Sequence, residues 1–156
     1  MDVRYINPFV NSTINTLEMM TGLVPEPKTP YTKDNLSTQG DISGVIGFAE
    51  KNITGSVILS FPEDTAIKLY NAMTGENIFR ITRDVEDSIG ELTNIVAGGA
   101  KTVLAAEGLS FNISIPSVIV GKNHTINSKI NAPIIVIPFQ LDRMRFVMEV
   151  TMKLSE

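Results

Sequence analysis

Asp84, Asp87, Glu91, Asn94 and Gly98 recur at spacings of three and four, which would place them on one face of a helix. Glu91 and Asn94 are the pair with chemical potential. They are three residues apart, so their side chains point the same way. A carboxylate can hold a cation. A neutral carboxamide offers both a donor and an acceptor, so it can fix a water molecule without repelling an anion. Together they are the equipment of a hydrolase that takes the remainder of its site from a partner.

The helix that must carry them is predicted over residues 84–108. Val85, Ile89, Leu92, Val96 and Val103 form its apolar stripe, on a different face from the polar set. Asp87 and Ser88 are expected to open the helix, where acidic and hydroxyl groups suit the exposed amides and the positive dipole end. Gly90, Gly98 and Gly99 each cost about 1 kcal/mol relative to alanine in a helix interior, so each needs a reason. Packing against a neighbouring element is the expectation for Gly90 and Gly99. Gly98 lies one turn past Asn94 on the polar face, where packing and clearance for a docking partner are equally good reasons.

Composition narrows the function classes. At 156 residues, 43% of them apolar, the chain can bury a core as one domain. The net charge of −4 and the scattered basic residues argue against nucleic acid as the main partner. The lack of cysteine excludes disulfides, thiolate catalysis and cysteine-ligated metal, and it fits a reducing cytoplasm. No apolar run is long enough to span a membrane, and the opening MDVRYINPFVNS lacks the apolar core of a signal peptide. The expectation is a cytoplasmic protein.

The other elements follow from periodicity and punctuation. Asn7 and Pro8 look like the cap and first position of a helix carrying Phe9, Val10, Ile14, Leu17 and Met20 and ending at Gly22. Residues 25–40, with three prolines, are expected to be an extended or loop connection. Segments 41–50 and 53–61 read as a hairpin turning at Lys51 and Asn52. Pro62 opens a second helix, supported by Glu63 and Asp64 and ended by Gly75. Strands are expected at 109–115, 117–120, 133–141 and 145–153, the last two joined at Leu141, Asp142 and Arg143. The run 132–139 is apolar on both faces, as in a central strand.

The pattern D-S-x-x-E-x-x-N-x-x-x-G, formed by Asp87, Ser88, Glu91, Asn94 and Gly98, resembles the signature of the CheC/CheX/FliY family of chemotaxis phosphatases. The N-P-F helix, the hairpin, the Pro62 helix and the segment 116–125 are similar to the CheX branch, and the likeness covers nearly the whole chain. Glu followed by Asn three residues later occurs once, at Glu91, whereas typical active CheC-type members carry two such motifs. In the first helix the corresponding place holds Asn11, Ser12, Thr13 and Ile14. The resemblance implies a two-layer α+β, CheC-like fold with helices packed on a mostly antiparallel sheet, as a single domain over residues 1–156. It also implies a homodimer with one site per subunit, which would cover an otherwise open strand edge.

The resemblance implies further that the substrate is the aspartyl phosphate of a CheY-type receiver domain. Asn94 would then orient the attacking water and Glu91 would pair with the partner's lysine. Asp87, Ser88 and Gly98 become candidate partner-binding residues, with helix capping the stronger expectation for Ser88. The chain would need no cofactor of its own, Mg²⁺ arriving with the phosphorylated partner. That fits a sequence with one histidine and no metal-ligand spacing. The competing expectation is a non-catalytic docking module of the same fold, binding receiver, chemotaxis or flagellar-switch proteins. Glu91 and Asn94 alone could also be a solvated helix face. His124 is expected to be structural or exposed, since no Ser or Asp close to it in sequence makes a recognisable triad.

Overall fold

A computed structural model of the chain describes residues 3–33, 40–122, 124–126 and 130–155. Residues 34–39 of the expected 25–40 connection, and Asn123 beside His124, lie outside it. Helix α1 spans Val3–Thr21 and carries Pro8 inside it. Asn7 is therefore not the cap. Burial of Ile6, alongside Phe9, holds an extra turn ahead of the proline. Apolar burial outweighs the one backbone hydrogen bond that a proline this close to the N-terminus removes. The helix stops at Gly22, whose φ of +77° is left-handed and whose N–H donates to the Glu18 carbonyl at 2.9 Å.

The described strands form one sheet in which every pairing is antiparallel. Strands β3 (Ile42–Glu50) and β4 (Ile53–Phe61) make the expected hairpin. Strands β7 (Ile134–Leu141) and β8 (Met144–Leu154) make another, turning at Asp142 and Arg143, with Asp142 at φ +54°. The order across the sheet is β1-β7-β8-β4-β3-β5. Residues 25–40 are more regular than expected. β1 (Glu26–Pro27) and β2 (Tyr31–Lys33) both pair with β7. Thus β7 is flanked on both sides, as its apolar faces require, though it lies next to the edge strands. At the opposite edge β5 (Asn112–Ile113) and β6 (Ser117–Val120) pair with β3. The strand expected at 109–115 shrinks to β5 because Leu109 N–H is drawn back to the Leu104 carbonyl.

Period-2 alternation divides the sheet into two faces. Ile42, Ile46 and Phe48 of β3, Val57, Leu59 and Phe61 of β4, and Met148 and Val150 of β8 are buried in the core. Helices α1, α2 (Glu63–Thr74) and α3 (Arg83–Ala106) cover this face. Stacked phenylalanines tie the strands together, with Phe139 and Phe146 4.9 Å apart. As the sequence suggested, α2 starts after Pro62 and ends at a left-handed Gly75. Its first amide is capped from a distance by Asp41, whose carboxylate accepts from Glu63 N–H at 2.8 Å.

The opposite face is partly polar. Lys33 and Glu149 form an ion pair at 2.7 Å with side chains only 7% and 4% exposed. Burial pushes the Glu149 carboxyl above its ordinary range, and the Lys33 hydrogen bond and charge, with a smaller contribution from the His124 charge, pull the other way. Among the described residues Glu149 Oε2 has no hydrogen-bond partner. Ser43 on β3 is hydrogen-bonded to Ser60 at 2.9 Å and to His124 Nε2 at 2.7 Å.

Candidate functional site

Helix α3 carries the candidate residues, and its start differs from expectation. Thr82 is the N-cap, its hydroxyl accepting from Val85 N–H at 3.3 Å. Asp84 and Glu86 occupy the first turn, where they complement the dipole. Asp87 and Ser88 fall in the second turn, so neither opens the helix and Ser88 is not its cap. The loop that delivers Thr82 is pinned. Asn71 clamps the Ile78 backbone twice, accepting from its N–H and donating to its carbonyl, both at 3.1 Å. Tyr70 donates its hydroxyl to Glu76, and that bond, with burial, pushes the phenol up to about 12.

Three close approaches seat α3. On the sheet side, Gly44 of β3 leaves room for Thr93, whose hydroxyl turns back to the Ile89 carbonyl at 2.7 Å. On the α1 side, a methyl group on Gly99 would strike the Ser12 side chain, which donates to the Val96 carbonyl at 2.8 Å. On the β6 side, a methyl on Gly90 would lie 3.1 Å from Val118 and 3.9 Å from Pro116. Gly90 and Gly99 therefore serve packing, as expected. The buried stripe includes Val85, Ile89, Leu92 and Val96. It then proceeds in steps of four through Ala100 and Leu104. Val103, assigned to the stripe from sequence, is 47% exposed on the wall of a groove between α1 and α3.

The fourth side of α3 is open. Asp84, Asp87 and Glu91 are exposed, and Ser88, Asn94 and Gly98 are half-buried. A methyl group on Gly98 would meet no atom within 4 Å, so packing within the chain does not explain that glycine. Among the described residues the side chains of Glu91 and Asn94 take no part in a hydrogen bond or ion pair within the chain. Both are left with their polar atoms for a ligand or a partner. Beside them runs an open groove of about 370 Å³, lined by Arg83, Glu86, Asp87, Glu91, Pro116 and Val118, with Gly90 at its floor. Sequence reasoning missed Pro116 and Val118 as groove residues, although the lone proline between two strand segments marked the bend. It also missed Gly44, for which glycine inside a β-branched strand was the available signal.

His124 lies elsewhere, on the far face of the sheet. Its Nδ1 is 2.7 Å from the Gly121 carbonyl, which can only accept. Nδ1 therefore donates to that carbonyl, and Nε2 is hydrogen-bonded to the Ser43 hydroxyl. Ser43 is fully buried, so this pair knits the edge segment to the sheet and presents no nucleophile. Among the described residues no group of three His, Cys, Asp or Glu side chains is placed to hold a metal ion. Nor is any helix among them long and apolar enough to cross a membrane.

Comparison with known proteins adds a second line of observation. The family model for chemotaxis phosphatase CheX matches residues 42–140, which include all of the groove and signature residues. A CheY-P phosphatase CheX of Thermotoga maritima is 31% identical over 129 residues, covering 82% of this chain and 83% of that protein. The crystal structure of a CheC-like superfamily protein from Shewanella sp. PV-4 superposes with a TM-score of 0.92 at 37% identity, covering 98% of this chain and 99% of that one. A CheX–CheY–BeF3–Mg²⁺ complex from Borrelia burgdorferi matches with a TM-score of 0.80 at 26% identity, covering 97% and 98%.

Proposed function

The chain belongs to the chemotaxis phosphatase CheX family, and from that premise we propose that it hydrolyses the aspartyl phosphate of a CheY-type receiver domain. The observation that carries this reading is the open side of α3, where Glu91 and Asn94 stand together with no partner among the described residues and Gly98 leaves clear ground beyond them.

Asn94 holds the attacking water by its carboxamide, its oxygen accepting a hydrogen bond from the water and its NH2 donating to an oxygen nearby. The water oxygen bonds to phosphorus in line as the bond from phosphorus to the receiver's aspartate oxygen breaks. Orthophosphate and the free carboxylate are the products. A carboxylate at this position would repel the phosphoryl oxygens. Positioning is the main service a protein can render in this chemistry, so one well-placed amide carries much of the effect. Glu91 pairs with a lysine of the receiver and so sets the register of Asn94 over the phosphorus. Mg²⁺ belongs to the receiver and neutralises charge on the phosphoryl group there.

The protein acts as a homodimer with one site per subunit. The edge strand β6 supports this, since Val120 is exposed and Val118 and Ile119 are only half-buried. Mass determination in solution tests the dimer. Phosphate release from a phosphorylated receiver in Mg²⁺, with substoichiometric protein, tests the activity. Turnover by wild type and not by Asn94→Ala is the expected result. Binding without acceleration would make the chain a docking module.

A further inference from the structure

Ile115 is 86% exposed, although it sits one residue from the wall of the Glu91 groove. The chain holds it there on both sides. Before it, Ser114 N–H donates to the Gly47 carbonyl at 2.8 Å, and the Ser114 hydroxyl accepts from Gly47 N–H at 3.0 Å while donating to the Ile115 carbonyl at 3.0 Å. After it, Pro116 restricts Ile115 to extended backbone and lies against Gly90 of α3. A β-branched side chain on such a loop has few rotamers left to lose. A mobile loop tip with an incidental aliphatic residue would lack these restraints.

We propose that Ile115 is a docking contact for the phosphorylated receiver, packing on an apolar patch of its surface beside the phosphorylation site while Glu91 and Asn94 enter that site. This rests on the proposed phosphatase reading and adds a specificity-determining residue to it. Two observations select the occupant. The knob is continuous, through Pro116, with the groove that holds Glu91. That groove sets Glu86, Asp87 and Glu91 against one cation, Arg83. Pairing of this groove with the same groove of a second copy would bring carboxylates against carboxylates. A receiver that offers a lysine complements the charge.

The test compares wild type, Ile115→Ser, Ile115→Leu and Val24→Ser, Val24 being an exposed aliphatic after α1. The readouts are binding of a beryllofluoride-activated CheY-type receiver and the KM and kcat of phosphate release. Ile115→Ser should raise Kd and KM about tenfold or more, as expected for a buried aliphatic contact, with kcat within twofold. Ile115→Leu should recover most of the loss, and Val24→Ser should match wild type. An active wild type with unchanged KM in Ile115→Ser overturns the docking contact and leaves the phosphatase reading standing. So does a loss no larger than that of Val24→Ser. Dissociation of a wild-type dimer by Ile115→Ser, with receiver binding intact, assigns the knob to a second copy and likewise overturns it. A wild type that neither binds nor dephosphorylates receivers overturns both.

Discussion

Gly44 on β3 and Thr93 on α3 meet with no room for a methyl group between them. Thr93 is fully buried and immediately precedes Asn94, which faces away from the sheet. The depth at which α3 sits on the sheet, and so the height of the signature face, is set at this contact. Gly44→Ala should destabilise the protein by about 1–3 kcal/mol through overpacking. Chemical denaturation measures this. Phosphatase activity should fall more than the unfolded fraction accounts for, because α3 must shift.

Gly98 should behave in the opposite way. Its added methyl group meets nothing, so Gly98→Ala should stabilise the fold by about 0.5–1 kcal/mol. Gly98→Trp should fold and melt normally yet lose receiver binding, if a partner passes over this position. Thermal melts beside binding isotherms separate the two effects.

Asn94→Ala should reduce turnover by about 10²-fold or more while Kd for the activated receiver changes little. In the proposed mechanism the lost amide positions water and does not hold the partner. Asn94→Asp should be no better, since its charge opposes the phosphoryl oxygens. A variant at position 94 with wild-type kcat would rule out the water-positioning role.

Glu91→Ala should weaken both association and rate. A truncated partner of a close interfacial charge pair costs about 2–5 kcal/mol. The wild-type association rate should fall as ionic strength rises, and the variant should show a shallower salt dependence. Stopped-flow binding across a salt series measures both.

The Lys33–Glu149 pair lies on the face of the sheet opposite the helices and predicts stability alone. Glu149→Gln leaves the Lys33 charge without its carboxylate and should cost about 3–5 kcal/mol, whereas Lys33→Met with Glu149→Leu should be neutral or stabilising. Because the Glu149 carboxyl is raised in the folded state, its favourable contribution is complete below its unfolded value of 4.5. That contribution is lost as pH rises through the folded value. Lys33 and the His124 charge oppose this shift without cancelling it. The double variant should therefore gain on wild type as pH rises from below 4.5 to neutrality, as urea titrations at several pH values would show.

The signature face was legible in the sequence because helical period is local. Spacings of three and four place Glu91, Asn94 and Gly98 together whatever the surroundings. The hairpin at Lys51 and Asn52 and the stops at Gly22 and Gly75 were legible for the same reason, since each depends on a few adjacent dihedral angles. The family resemblance rested on the signature pattern together with the order of these elements, and it was the resemblance that implied the α+β class and the mostly antiparallel sheet.

Where elements begin was less legible, because burial decides it. Pro8 lies inside α1 since Ile6 has a core to enter, and Thr82 caps α3 since the Asn71 clamp delivers it there. Val103 fits the apolar spacing yet stands in a groove, because the buried stripe follows steps of four to Leu104. By itself the sequence determined which side chains share the signature face of α3. The tertiary structure alone decided that this face is the one left uncovered, with Gly44, Gly90 and Gly99 closing the other three sides and Ile115 held at the groove's edge. Those contacts join residues dozens of positions apart, and no local periodicity encodes the distance between two packed surfaces.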